Sequence, residues 1–446
     1  MRSLLSAYAS GALSPVEVVR DALAKIEADQ RFNAWVHVAG EAALAAARES
    51  EARWAKGAPV GAMDGVPVGV KDLLAVVGQP MRRGSEAYPV GFMPAEDAPV
   101  VARMREAGAI LVGKTATPDA GCKLDTSSLV HGMTRNAFDV ALTAGGSSGG
   151  SAVALARGHV TVAVGTDGAG SIRVPAAYNG VFGMKPSIGR IPAPVGAFWP
   201  HATTAPMTRN VLDTAAVWNV VTAPDVRDCY AMPSEKTDFA AAAQRGVAGL
   251  RVAYATSFNG IGATPEIVAA VERAAALLAG AGAVVSAAAP VFSGDPLVAF
   301  MVFWRCMYTQ SIEMMPPEQA ALVDPVIKNI VAQAEGVTRR DILAAQTVRD
   351  DLAMSMARFH QDYDVFLLPV MPCQPWVAGR ATPPEYAEDE WGWCPFAYPF
   401  NLTRQPAASV PVGFDSANMP LAVQVVAAYG RDDLVFRAAL ALEQSA

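Results

Sequence analysis

Charge is scarce in this chain: Asp, Glu, Lys and Arg make up 17% of its 446 residues, whereas 52% are hydrophobic. That balance leaves ample apolar surface to bury, which excludes disorder and points to a compact globule. Positive charge is the scarcer sign. Lys and Arg total 35 against 42 Asp and Glu, a net charge of −7, and no block of basic residues offsets it. A binder of nucleic-acid backbone needs a concentrated cationic face, so no nucleic-acid partner is expected. Cysteine is limited to Cys122, Cys229, Cys306, Cys373 and Cys394, an odd and widely spaced set without a C-x-x-C pair. Neither a disulfide framework nor a metal site is expected, and a reducing cytoplasm suits such thiols best. Long apolar runs are missing too. The stretch 274–294 is uncharged, but it is mostly Ala and Gly and is broken by Ser286 and Pro290. It reads as a helix end followed by a strand, and no membrane span is expected. The opening MRSLLSAYASGALSP has one Arg and a short apolar stretch interrupted by Ser, the pattern of a first helix rather than a signal peptide. The five histidines (His37, His131, His159, His201, His360) stand in no recognisable motif, so a Ser–His–Asp mechanism has no support.

The elements that are present alternate between helix and strand. Ser14-Pro15-Val16-Glu17 places a hydroxyl at the N-cap, Pro at the first helical position and Glu at the third, and apolar residues then recur at helical spacing. This predicts a helix over about 15–28, and an Ala-rich second helix over 41–55. Short apolar runs at 67–70 and 109–112 beside Gly residues read as buried strands of an α/β sheet. A helix is expected over 265–279, with strands at 283–285 and 364–368. There is no internal repeat.

Between Gly145 and Gly180 the chain is rich in Gly and Ser, yet apolar segments interrupt it, so this is no linker. Two segments stand out: Gly145-Gly-Ser147-Ser148-Gly-Gly150-Ser151 and Gly165-Thr166-Asp167-Gly168-Ala169-Gly170-Ser171-Ile-Arg173. A Ser after several small residues can sit on a tight turn, with backbone N–H groups converging where an oxyanion forms. The same pattern also suits helix caps and turns, so alone it leaves both readings open. Two further formula matches are rejected. Gly146 to Gly150 fits G-x-S-x-G around Ser148 but lacks a strong preceding strand. Gly108 to Thr115 fits the phosphate-loop formula, but its variable residues are Ala, Ile, Leu and Val and look like a strand. Lys71, at the end of an apolar run, could be desolvated into a neutral base, although a strand-end Lys is more often solvated.

Taken together, these segments resemble the amidase signature family. The resemblance rests on Gly65-Val-Pro-Val-Gly-Val-Lys71-Asp72, Gly113-Lys114-Thr115, Thr134-Arg-Asn136 with Asp139, Gly145 to Gly150, Gly165 to Pro175, Gly180 to Pro186, and the closing segments Phe400 to Pro406 and Pro420 to Gln424. It implies one large α/β amidase signature domain over 1–446, with a mixed twisted β-sheet covered on both faces by helices. Its parts would be N-terminal helices (1–60), a catalytic core (61–193), a variable substrate-shaping region (194–395) and a C-terminal return to the core (396–446). It also implies a triad: Ser171 as nucleophile, Ser147 as a second Ser preceded by a cis peptide bond, and Lys71 as base. Backbone N–H groups of Gly168, Ala169, Gly170 and Ser171 would form the oxyanion hole. Asp167 and Arg173 would pair to hold the loop, with Ser148 and Thr166 as supporting hydrogen bonders. Many relatives carry Gly where this chain has Ala169, which would matter if that residue needed a positive φ.

The implied activity is hydrolysis of small amides, with water as second substrate and no cofactor; carbamates are a close second and esters a side activity. The aromatic residues Trp199, Phe303, Trp304, Trp391 and Trp393 are candidates for an apolar pocket that favours aryl substrates. A monomer or homodimer in the cytoplasm is expected. A glutamine-hydrolysing subunit of a transamidation complex shares the triad and is a less favoured alternative, and a non-catalytic binding module the least favoured.

Overall fold

The computed structural model describes residues 1–193, 201–233, 237–387 and 389–445. The helix start read from Ser14 is realised: Pro15–Ala28 is helical, Ser14 Oγ accepts from the Glu17 N–H, and the Glu17 carboxylate accepts from the Ser14 N–H in return. The Ala-rich helix runs over Gly40–Ala55.

Eleven strands carry the core: β1 (Trp35–Val38), β2 (Pro67–Lys71), β3 (Ile110–Thr115), β4 (Val162–Asp167), β5 (Gly183–Lys185), β6 (Thr203–Met207), β7 (Arg251–Tyr254), β8 (Val284–Ala287), β9 (Val365–Pro369), β10 (Ala407–Phe414) and β11 (Pro420–Ala427). One sheet has the order β1-β3-β2-β4-β6 and the other β8-β7-β9-β11-β10-β5. In the first, β2, β3 and β4 are parallel and the edge strands β1 and β6 antiparallel. In the second, β8, β7 and β9 are parallel, and β11, β10 and β5 follow in antiparallel succession. The two sheets meet where Phe182, just before β5, exchanges backbone hydrogen bonds with Thr208, just after β6. That single bridge joins them into one mixed sheet.

The formula match at Gly108 to Thr115 proves to be strand, because Ile110–Thr115 is β3 and every residue in it is buried. Its successive side chains serve opposite faces, as the pleat requires. Ile110 packs with Val16, Val19, Ala43 and Ala47 of the first helices, while Leu111 joins the large central core. The Asp432–Ser445 helix packs against β10 and β11. Between β8 and β9 the chain builds a helical lobe from Pro296–Glu313, Pro325–Ala334 and Arg339–Asp362. Each of these helices starts on a side-chain cap, from Asp295, Asp324 and Thr338 respectively. Phe300, Phe303, Trp304 and Tyr308 of the lobe pack in one cluster with Ala169, Val174 and Tyr178. The lobe and the loop after β4 thereby share a common wall.

Candidate active site

The carboxyl ends of parallel strands open towards the crevice in which α/β proteins hold ligands. Here β2 ends at Lys71 and its parallel neighbour β4 ends at Asp167. The Gly149–Ala156 helix starts beside them, with Ser147 and Ser148 at its N-terminus. The fold thus gathers three separate stretches of sequence at one point.

Lys71 is fully buried. Its Nζ lies 2.7 Å from Ser147 Oγ, 2.9 Å from Ser148 Oγ and 2.9 Å from Thr166 Oγ1, and no carboxylate among the described residues pairs with it. Burial pushes the amine well below the ordinary lysine range, and the field of Asp167 offsets this only in part. Ser148 donates its hydroxyl to Thr166 O, so towards Lys71 it can only accept. A neutral amine has two N–H donors and one lone pair. In that form, donation to Ser148 and Thr166 would leave the lone pair free to accept the hydroxyl hydrogen of Ser147.

The Gly146–Ser147 peptide bond is cis. A side chain at Gly146 would stand 2.7 Å from Lys123 O and from the carbonyl carbon of Leu124, so only glycine lets the loop lie against the 123–125 backbone. Ser171 is 6% exposed, and its hydroxyl has no hydrogen-bond partner among the described residues. Ser171 O accepts from Ser148 N–H at 3.1 Å, which ties the two Ser loops together.

The loop after β4 is organised by a carboxylate. Asp167 accepts from the backbone of Gly170 (2.8 Å) and Ile172 (3.2 Å), and pairs with Arg173 through two contacts of 2.9 Å. Burial would raise this acid, but Arg173 and Asn401 outweigh it and hold the carboxyl well below the usual range. Arg173, itself buried, also donates to Ala397 O (3.0 Å), Gln424 Oε1 (2.7 Å) and Asn401 Oδ1 (2.6 Å).

Two expectations for this loop change. Gly170 does not offer its N–H to a ligand, because Asp167 Oδ1 takes it; the N–H groups of Gly168, Ala169 and Ser171 have no partner among the described residues. The positive φ falls on Gly170 (+112°) and not on Ala169, so the methyl group of Ala169 meets no backbone conflict.

The aromatic candidates separate. Phe303 and Trp304 line a narrow crevice of about 10 Å³ with Gly168, His201, Ala202, Phe300 and Met307. Trp391 stands behind it, its ring 5.1 Å from both Phe300 and Trp304, and does not line it. Trp393 is buried elsewhere, against Trp376 at 5.6 Å and Tyr386 at 5.5 Å. Both were expected in the pocket because their bulk was legible and their packing partners were not. Trp199 lies outside the described residues. Asn401, Gln424 and His201 were missed as contributors to the site. Gln424 did carry a signal, being the sole polar residue in the buried run Pro420–Ala427. Among the described residues no group of His, Cys, Asp and Glu is arranged to hold a metal.

The family model described as Amidase matches residues 17–436. An acylamidase of Rhodococcus erythropolis is 32% identical over 449 residues, covering 99% of this chain and 94% of the relative. A glutamyl-tRNA(Gln) amidotransferase subunit of Myxococcus xanthus is 33% identical over 456 residues, covering 96% and 93%. Among solved structures, a bacterial aryl acylamidase of the amidase signature family superposes with a TM-score of 0.91 at 28% identity, covering 99% of this chain and 95% of that one. The 6-aminohexanoate cyclic dimer hydrolase superposes at 0.89 with 30% identity, covering 99% and 95%.

Proposed function

The chain belongs to the amidase signature family of hydrolases acting on amide C–N bonds, and on that premise we propose that it cleaves small aryl or apolar amides through an acyl-enzyme on Ser171. The observation that carries this reading is the buried, carboxylate-free Lys71 amine bonded to Ser147. Burying an unpaired ammonium costs several kcal/mol, so the amine discharges and becomes a base.

In this reading Ser171 turns its hydroxyl onto Ser147, a link that tightens when substrate fills the site. Ser171 Oγ adds to the substrate carbonyl carbon while its proton passes to Ser147, whose own proton passes to Lys71 Nζ. The oxyanion is met by the unpartnered N–H groups of Gly168, Ala169 and Ser171. As the C–N bond breaks, Ser147 protonates the leaving nitrogen and recovers its proton from Lys71. Water then enters by the same relay in reverse and releases the carboxylic acid, restoring Ser171. The aromatic cleft beside Gly168 supports a preference for flat or apolar substrate groups, in keeping with the names of the aryl acylamidase and acylamidase relatives.

The test is a panel of anilides, phenyl carbamates and phenyl esters, with intact-protein mass spectrometry after rapid quench. An acyl adduct mapping to Ser171, and none in Ser171→Ala, is expected. An adduct on another residue overturns the assignment, and faster turnover of carbamates than of matched amides would replace the substrate class.

A further inference from the structure

His201 stands across from the proposed oxyanion loop. β4 and β6 pair with Asp167 opposite Thr203, and continuing that antiparallel register by two residues sets His201 opposite Ala169. A side chain at Gly168 would meet Ala202 Cβ at 3.7 Å, as the same register demands. Asn401 fixes the arrangement by donating both to Asp167 and to His201 O at 3.0 Å.

His201 is one of the residues around the crevice with Phe300, Phe303, Trp304 and Met307, its ring 5.1 Å from that of Phe303. It is 9% exposed, and neither Nδ1 nor Nε2 has a hydrogen-bond partner among the described residues. Buried polar groups are ordinarily satisfied, and one left open in a ligand cleft needs its partner from the ligand. The charge around it is of one sign. Burial first, then Arg349 and Arg404, push the ring down to about 3, so it is neutral throughout the working range and offers one donor and one acceptor.

We propose that His201 is a specificity-determining residue of this cleft, hydrogen-bonding a neutral polar group of the substrate, such as a second amide, beyond the scissile bond. The proposal rests on Ser171 being the nucleophile, and it narrows the substrate class from apolar amides to amides carrying a further uncharged donor–acceptor group. An anionic group is the competing occupant, because Arg349 has a buried Nη1 without a partner and lies 5.7 Å over the Phe303 ring.

The experiment uses two isosteric series with the full-length protein. The first varies the acyl part of a 4-nitroanilide: 4-methylpentanoyl, succinamoyl and succinyl. The second varies the amine of an acetanilide: 4-isopropyl, 4-carboxamido and 4-carboxylate. In at least one series the carboxamide should exceed the isopropyl compound in kcat/KM by about 10-fold or more, the range that one unmet buried hydrogen bond produces. His201→Phe should collapse that ratio towards one, and His201→Gln should restore part of it. A ratio below about threefold in both series, or a ratio unchanged in His201→Phe, overturns the proposal. So does a preference for the carboxylate compounds, which would assign the cleft to Arg349. Acylation of Ser171 by the isopropyl-type substrates in these assays would leave the nucleophile reading standing, whereas its absence from every compound would remove both.

Discussion

Lys71 is the base of the proposed relay, and its behaviour with pH has a definite sign. Its folded-state pKa lies below that of the unfolded chain, so stability falls as pH drops from about 10.4 towards the folded value, a window in which the unfolded chain alone takes up the proton. Lys71→Ala should lower kcat by about 10²–10⁴-fold, and the acid limb of the kcat–pH profile should vanish with it. Asp119 titrates with the opposite consequence. It is buried, accepts from Ser85 Oγ and from the Asp324 N–H at 2.8 Å each, and is raised to about 6, chiefly by burial. The folded chain therefore keeps a proton that the unfolded chain has released, and stability falls as pH rises from about 4 to about 6. Asp119→Asn retains an acceptor for both bonds. It should raise stability at pH 8 by about 1–3 kcal/mol and flatten that part of the curve, as read by urea titration at several pH values. At this scale the sequence marked Lys71, Ser147 and Ser171 through their motifs, and the fold brings Lys71 and Ser147 within hydrogen-bonding distance. His201 was not marked, because what distinguishes it is the absence of partners, and that is a property of the packed site.

Among elements, the turn between β4 and the Arg173–Tyr178 helix is tightly constrained. Gly170 has φ +112°, and an added side chain there would stand 2.8 Å from Ala397 Cβ. Gly170→Ala should destabilise the protein by about 2–4 kcal/mol and lower kcat, whereas Ala169→Gly should change kcat less than about threefold and cost under about 1 kcal/mol. Thermal melts paired with anilide turnover separate the two. Helices such as Pro15–Ala28 and strands such as Val365–Pro369 were readable from caps and periodicity, because their signals are local. The packing of the aromatic residues was not readable: Phe303 and Trp304 line the crevice beside Gly168 while Trp391 and Trp393 pack elsewhere, since four bulky aromatic residues look alike until their neighbours are known.

For the molecule as a whole, the class of fold followed from the alternation of elements and the family resemblance. The division of the sheet into two halves joined through Phe182 and Thr208 did not, since strand order depends on contacts far apart in sequence. The halves are also tied through Arg173, which reaches Asn401 and Gln424. We expect native-state hydrogen exchange to give β2–β4 and β9–β11 a common opening free energy, and Gln424→Ala to lower both that energy and the rate of Ser171 acylation. Independent opening of the halves would show that the bridge and the Arg173 contacts do not couple them.

The reach of Arg173 also sets an order of events during synthesis. Gln424 lies 251 residues after Arg173 and Asn401 lies 228 after it, so the ribosome delivers Ser171 long before the side chains that hold its loop in place. At about 5–20 residues per second, Ser171 waits on the order of ten seconds or more before its surroundings are complete. A nascent chain stalled short of Asn401 should carry every proposed triad residue and still hydrolyse nothing.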